Sequence, residues 1–295
     1  MTKIAIVNGN NLLGHFLRRF LTHHTTYSFV DIYDSEQIAN EENETHRYNV
    51  NDLKTIRKLI SKVKPSHIIA LNDFNSSDDD KHKQEIWNKN VLVVENLSKA
   101  AAINESHLML ISNESLYDGT TGPYKEEDKP NPLNYYGKAR HAAENLVITT
   151  IENSSIVRAP MIYGYLPGVP SLVEKVLEND HLSLRDDYLT NPVYAEDAAL
   201  AIYKIISKQR KGLYCLGGPD YLTPFEWGLK LNQYLCNLSG NISPSYVSIS
   251  KDKEQKLKFG FVSLKAETDL NMKFMALSSA HSAIRFLIDK RKYDI

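Results

Sequence analysis

Two glycines near the start of the chain mark a turn of the kind that binds phosphate, one residue shorter than the usual form. The apolar run Lys3 to Val7 is followed by Gly9-Asn10-Asn11-Leu12-Leu13-Gly14, after which apolar positions take helical spacing. In such a strand, turn and helix, the amides at the helix start hold the pyrophosphate of a dinucleotide. The turn is short and lacks the usual middle glycine, so a purely structural turn is the alternative. The candidate cofactor contacts are Gly9, Asn11, Leu12 and Gly14.

An acidic residue follows at the distance that a ribose contact needs. Asp34 lies 25 residues after Gly9 and closes a second β-type run, Tyr27 to Tyr33. A carboxylate at the end of the second strand accepts hydrogen bonds from the adenosine ribose hydroxyls. The cofactor is therefore expected to be NAD or NADP, and Asp34 favours NAD. The alternative is a polar strand end with no ligand.

Strands and helices alternate through the first half of the chain, and this alternation decides the fold class. Parallel neighbours need a crossover connection, which a helix usually provides. The pattern therefore predicts an α/β fold, a doubly wound, Rossmann-like parallel sheet. The further predicted strands are His67–Leu71, Leu108–Ser112 and Ser155–Tyr163, and the helices between them include Trp87–Ala102 and Tyr135–Ile151.

Beyond residue 163 the alternation loosens. Gly164, Pro167, Gly168 and Pro170 mark a loop, and helical spacing then dominates. We expect a dinucleotide-binding domain over residues 1–163. Residues 164–295 are expected to form a smaller, more helical lobe that binds substrate, with some segments returning to the first domain.

A dense block of motifs lies in the middle of the chain, and shorter motifs flank it. They are Asn90, Ile111–Thr120, Gly122–Asp128, Pro130–Lys138, Arg158–Gly164 and Asn191–Asp197. In these segments the chain resembles the extended short-chain dehydrogenase/reductases. It is most similar to the dTDP-4-dehydrorhamnose reductase branch and to the related regulatory β subunit of methionine adenosyltransferase. The resemblance runs from Ile4 to about Ile288 and fades after residue 240.

The resemblance implies a set of catalytic residues. In that family a Ser or Thr bonds the substrate carbonyl, a Tyr transfers the proton, and a Lys four positions later lowers the Tyr pKa and holds the nicotinamide ribose. The matching positions here are Asn113, Tyr136 and Arg140. Asn113 can still donate a hydrogen bond, and Arg140 keeps a positive charge one helical turn from Tyr136, but an arginine cannot release a proton. The alternative is that Tyr136 is a structural residue.

Two functions follow from the resemblance. The first is an NAD(P)H-dependent reductase of a 4-keto-6-deoxy nucleotide sugar, such as dTDP-4-dehydrorhamnose, with a degenerate catalytic site. The second is a non-catalytic nucleotide-binding or regulatory subunit that keeps the reductase fold. The expected partners are a nucleotide-sugar substrate and either a second copy in a homodimer or a partner enzyme.

Charge and composition exclude several other classes. Lys and Arg number 35 and Asp and Glu number 36, so no basic excess favours nucleic acid or a membrane surface as a partner. The ten histidines lack ligand spacing, so no metal is expected. No apolar run reaches the roughly 18 residues of a membrane span. Two cysteines are too few for a disulfide framework, and we expect a cytoplasmic protein.

Overall fold

The computed structural model describes residues 2–34, 44–49, 52–74, 79–178, 181–235, 241–246 and 256–293. The strands in this part are β1 Lys3–Val7, β2 Ser28–Asp34, β3 Thr45–Tyr48, β4 His67–Ala70, β5 His107–Asn113, β6 Ser154–Ala159, β7 Ile162–Tyr163, β8 His181–Arg185, β9 Tyr188–Leu189, β10 Val193–Tyr194, β11 Gly212–Cys215, β12 Asn241–Ser245 and β13 Leu257–Lys258. The α-helices are α1 Leu12–His24, α2 Lys54–Val63, α3 Asp79–Trp87, α4 Val93–Ile103, α5 Tyr135–Thr150, α6 Leu172–Glu178, α7 Ala195–Ser207, α8 Pro224–Leu235, α9 Leu264–Leu270 and α10 Leu277–Tyr293.

A seven-stranded parallel sheet in the order β11-β6-β5-β4-β1-β2-β3 forms the centre of the molecule. Alternate side chains of β1 enter two different cores. Ile4 and Ile6 pack with residues of α1 and α7, whereas Ala5 and Val7 pack with residues of α2, α4 and α5. Helices therefore cover both faces of the sheet, and the predicted doubly wound α/β fold is confirmed.

The C-terminal half contributes to this sheet as well as to its own lobe. β11 pairs with β6 at one edge, and α7 packs against α1. The remaining short strands form the parallel pairs β7–β10, β8–β12 and β9–β13. The division at residue 163 stays a prediction.

The helix predicted over Trp87–Ala102 is interrupted. A π-helical turn, Asn88–Leu92, joins α3 to α4. Inside it, the buried Asn90 side chain donates to the Ile86 carbonyl at 2.9 Å and to the Phe74 carbonyl at 2.7 Å. A side chain inserted into the helix ladder accounts for the local widening. Asn90 thereby anchors the segment that follows β4, which borders the cavity described below.

Candidate functional site

A cavity of about 500 Å³ lies at the carboxyl ends of β4, β5 and β6, next to the N-terminus of α1. We call it the first cavity. Its lining residues are Asn11, Leu12, Leu13, Leu71, Asn72, Asp73, Ile111, Ser112, Asn113, Glu114, Ser115, Tyr136, Arg140, Ala159, Pro160, Met161, Ile162, Pro170 and Ser171. Ligands of doubly wound sheets bind in this position.

The glycine turn forms one end of the first cavity. Asn8 has the left-handed conformation, with φ of 56°. A Cβ atom on Gly14 would lie 2.0 Å from the Gly9 carbonyl oxygen, so only glycine permits this approach of helix to strand. Asn11 caps α1, because its Oδ1 accepts from the Gly14 amide at 2.9 Å. Asn11 and Leu12 line the cavity, and the two glycines lie in close contact beside them.

Asp34 lies in a smaller side pocket of about 110 Å³ that begins at the same turn. The Asp34 amide donates to Asn8 Oδ1 at 3.1 Å, and Asn8 Nδ2 donates to the Tyr48 hydroxyl at 2.8 Å. The turn and the end of β2 are thus held together. Asn11 and Asp73 line both the side pocket and the first cavity.

Tyr136 and Asn113 meet at the other end of the first cavity, together with a residue that the sequence did not single out. The Tyr136 hydroxyl donates to Asp73 Oδ1. Asn113 Nδ2 donates to the Tyr136 hydroxyl at 2.5 Å and lies 3.4 Å from Asp73 Oδ1. We call these three residues the tyrosine cluster. Its hydrogen bonds join the ends of β4 and β5 to the first turn of α5.

The tyrosine cluster favours the neutral form of the phenol. Burial raises the pKa of Tyr136, and the Asp73 carboxylate raises it further. Arg140 and the Asn113 hydrogen bond lower this pKa, but their effect is smaller, and the pKa stays well above its usual range. The direction is opposite to the one that the resemblance implies.

Arg140 is buried, with 1% of its surface exposed, and it donates to two backbone carbonyls and, at 3.5 Å, to Asn90 Oδ1. Nη1 donates to the Asn72 carbonyl at 2.5 Å, and Nη2 donates to the Ile111 carbonyl. The guanidinium therefore ties the segment after β4 to the end of β5. It contributes a positive charge near Tyr136 and stabilises the cavity wall.

A second cavity of about 500 Å³ adjoins the first and shares Glu114 and Ser115 with it. Its other lining residues are Tyr117, Leu133, Asn134, Arg185, Tyr188 and Phe259. Glu114 Oε2 accepts from the Thr190 hydroxyl at 2.7 Å and from the Gly260 amide at 3.1 Å. Burial raises the pKa of Glu114 to about 7, although both hydrogen bonds lower it.

Asp73 and Glu114 are the site residues that the sequence reasoning missed. Glu114 follows directly on β5, and Asp73 lies three residues after the end of β4, and the sequence predicts both strands. Because ligands bind at the carboxyl ends of parallel strands, position alone would have marked both acids as candidates.

The described residues offer neither a metal centre nor a membrane span. Nowhere in this part of the chain do three His, Cys, Asp or Glu side chains come together as metal ligands would. No helix in the same part has both the length and the apolar character needed to cross a membrane.

Comparison with curated proteins connects the chain to two kinds of relative. Methionine adenosyltransferase 2 subunit beta of Xenopus tropicalis is 30% identical over 190 residues, which cover 60% of this chain and 57% of that subunit. The match thus spans little more than half of that relative. The dTDP-4-dehydrorhamnose reductase of Aggregatibacter actinomycetemcomitans is 25% identical over 241 residues, 78% of each chain.

Solved structures share the fold over nearly the whole chain. The dTDP-4-dehydrorhamnose reductase of Bacillus anthracis, in complex with NADP, superposes with a TM-score of 0.76 at 19% identity, covering 96% of this chain and 99% of that one. The Bordetella bronchiseptica enzyme WbmH, in complex with NAD+, superposes with a TM-score of 0.79 at 14% identity and covers 100% of both chains. These likenesses establish the fold.

The family model described as RmlD substrate binding domain matches residues 2–246. This match covers most of the chain, including the glycine turn, the tyrosine cluster and every lining residue of the two cavities except Phe259. The resemblance predicted from the sequence is confirmed. The chain belongs to the RmlD substrate binding domain family.

Proposed function

We propose that the first cavity and the side pocket bind NAD or NADP. The close contact of Gly14 with Gly9 supports this, because it brings the start of α1 to the cavity. Ser112 Oγ also supports it. This hydroxyl is buried, lines the cavity, and has no hydrogen-bond partner within the described residues. Asp34 in the side pocket favours a free ribose, and hence NAD.

The residues of the chain fit such a dinucleotide. Asn11 and Leu12, at the helix start, would hold the pyrophosphate, and Asp34 would accept hydrogen bonds from the adenosine ribose. Ser112 Oγ would form a hydrogen bond with the part of the dinucleotide that lies in the first cavity. When bound, the dinucleotide supplies a hydride. All other groups of the reaction come from the protein or the substrate.

We propose that the protein reduces a 4-keto-6-deoxy nucleotide sugar of the dTDP-4-dehydrorhamnose class. The tyrosine cluster carries this proposal, because it presents Tyr136 and Asn113 in a cavity that adjoins a second one of equal size. Asn113 and Tyr136 would orient the carbonyl, and Arg140 would hold the wall behind them. The nucleotide part of the substrate would occupy the second cavity, where Tyr188 and Phe259 offer aromatic rings.

The tyrosine cluster also explains why the reaction should be slow. The proton of Tyr136 is bonded to Asp73, and the carboxylate disfavours a negative charge on the phenol oxygen. Removing one preorganised donor from a carbonyl site commonly costs on the order of 10²-fold in rate. We therefore expect turnover well below that of a site in which the tyrosine has no carboxylate beside it and a lysine stands at the position of Arg140.

A second candidate function is a nucleotide-binding or regulatory subunit without catalysis. Two observations favour it. Arg140 uses both terminal nitrogens on backbone carbonyls, and the relatives that are 30% identical are named as subunits beta of an adenosyltransferase. In that case the partner would be an enzyme, and the dinucleotide would regulate the complex.

The experiment that tests the proposal is a titration of the protein with NADH and NADPH, followed by addition of dTDP-4-dehydrorhamnose. We expect binding in the micromolar range and slow oxidation of the cofactor. The variant Asp34→Asn should weaken NADH binding more than NADPH binding, whereas Asp52→Asn, on an exposed residue outside the cavities, should change neither. Binding without oxidation would favour the regulatory function. Absence of binding would contradict the reductase function and leave only a regulatory subunit that acts without a dinucleotide.

A further inference from the structure

We propose that Glu114, and not Tyr136, donates the proton to the substrate in this site. The inference rests on the proposed reductase function. The Tyr136 hydroxyl already donates its proton in a hydrogen bond to Asp73. A reduction at a ketone still needs an acid within reach of the oxygen, and another carboxyl group borders the same cavity.

The position of Glu114 suits this role. The residue opens a 3₁₀ turn, Glu114–Leu116, directly after β5, and it lines both the first and the second cavity. A substrate that extends from one cavity into the other would pass this side chain. Its neighbour Asn113 belongs to the tyrosine cluster, so the acid and one of the two proposed carbonyl-binding residues are adjacent in the chain.

The carboxyl group of Glu114 is held in place by neutral donors only. The Thr190 hydroxyl and the Gly260 amide both donate to Oε2, and no ion pair in the described part of the chain includes Glu114. A purely structural carboxylate in a half-buried position would usually have a cation beside it. The titratable and charged groups around it are Asp73, Tyr136 and Arg140 in the first cavity, Tyr117, Arg185 and Tyr188 in the second, and Tyr221 nearby.

The protonation of Glu114 matches the demand of the reaction at neutral pH. Burial raises its pKa to about 7, so both the acid and the carboxylate are populated there. An acid with a pKa near the working pH transfers its proton most effectively. Tyr136 does not meet this condition, because burial and Asp73 raise its pKa.

The proposed step reduces a ketone of the substrate to a secondary alcohol. The carbonyl carbon of the ketone takes a hydride from the dihydronicotinamide, and the C=O π bond opens toward oxygen. The oxygen takes the proton from the Glu114 carboxyl group, so a secondary alcohol forms. The dinucleotide leaves oxidised, and Glu114 is left as a carboxylate that regains a proton from water.

The test is the pH dependence of kcat/KM for NADH and dTDP-4-dehydrorhamnose in wild type and three variants. In wild type, kcat/KM should fall tenfold per pH unit above about 7, where Glu114 loses its proton. Glu114→Gln should lower the rate on the order of 10²-fold at pH 6 and remove this dependence. Tyr136→Phe should keep the dependence and lose less rate. The control Glu127→Gln, on an exposed residue outside both cavities, should behave as wild type.

A measurement without turnover accompanies this test. In protein labelled with ¹³C at the glutamate carboxyl carbon, the signal that is missing in Glu114→Gln should titrate near pH 7. Titration near the usual glutamate value would overturn the inference, as would a pH dependence that disappears in Tyr136→Phe and persists in Glu114→Gln. In both cases the reductase function would stand. NADH binding without turnover of any keto sugar would instead overturn the reductase function, and the inference with it.

Discussion

The two ends of the first cavity differ in how they are built. At the glycine turn, the contact that matters is between backbones, since Gly14 lies against the Gly9 carbonyl. At the tyrosine cluster, the hydrogen bonds are made between side chains, those of Tyr136, Asn113 and Asp73. The first end has this close contact although its turn lacks a middle glycine. The second end keeps its tyrosine, but the groups around that tyrosine differ from those implied by the family resemblance.

This difference shows which features of a site tolerate substitution. A backbone contact needs only that small residues stay small, so the loss of a middle glycine leaves it in place. A catalytic side chain depends on the charge of each neighbour. Burial and the Asp73 carboxylate together outweigh Arg140 and raise the pKa of Tyr136.

The strongest test of the glycine-turn end is the substitution Gly14→Ala. The new methyl group would lie 2.0 Å from the Gly9 oxygen, and we expect a loss of about 4 kcal/mol in the free energy of unfolding. The control is Gly168→Ala, where φ is +75° but no atom lies within 4 Å of the new Cβ, so a loss of about 1 kcal/mol is expected. Urea unfolding measures both. Equal losses would show that the close contact is unimportant.

At the tyrosine-cluster end of the first cavity, Arg140→Met should lower the free energy of unfolding the most. It leaves the carbonyls of Asn72 and Ile111 buried without their donor, which should lower the free energy of unfolding by about 3 kcal/mol. Lys138→Met, on the exposed side of the same helix, should change it by less than about 0.5 kcal/mol. Urea unfolding of the two variants compares them directly. A stable Arg140→Met protein would show that these two hydrogen bonds contribute little to stability.

Glu114 should make stability depend on pH. Its pKa in the folded protein, about 7, lies above its ordinary value of 4.5, so the folded state binds more protons than the unfolded state between these values. The stabilisation of wild type relative to Glu114→Gln is therefore fully present below pH 4.5 and is lost as the pH rises through 7. We expect a loss of about 2 kcal/mol, measured by unfolding at pH 5 and pH 8. A constant difference between the two proteins would contradict the raised pKa.

Among the substitutions inside the site, Asp73→Asn should affect stability least. The amide keeps the shape of the carboxylate, so the free energy of unfolding should change by less than about 1 kcal/mol. The pKa of Tyr136 should nevertheless fall, because the negative charge beside it is gone and Arg140 remains. Carbon NMR of labelled tyrosine rings, assigned with Tyr136→Phe, follows this titration. An unchanged pKa would show that burial alone raises it.

Much of the fold could be predicted from local sequence. The residues after Lys3 up to Val7 are apolar on both faces of β1, because the strand is buried between two helical layers. This continuous apolar run is visible in the sequence without a structure. The interruption of the Trp87–Ala102 helix was not visible. It depends on hydrogen bonds from Asn90 to Phe74, which is remote in sequence.

The site could be predicted only in outline. The sequence indicated Tyr136, Asn113 and Arg140, and the structure brings them to one cavity. It could not indicate that Asp73 reaches Tyr136, because the two residues are 63 positions apart and meet only when β4 lies beside β5. Nor could it indicate that Glu114 is buried, which raises its pKa, or that Thr190 and Gly260 of the C-terminal half donate to its carboxyl group.

We propose that the glycine-turn end of the first cavity binds a dinucleotide, and that the hydrogen bond to Asp73 keeps the Tyr136 hydroxyl from the substrate. The most direct measurement is a single-turnover stopped-flow experiment, in which the protein saturated with NADH is mixed with dTDP-4-dehydrorhamnose. We expect equal NADH affinity in wild type and Asp73→Asn, with hydride transfer about tenfold faster in the variant, because the freed Tyr136 hydroxyl can then bond the developing oxyanion. Equal rates in the two proteins, or no NADH binding by wild type, would contradict the claim.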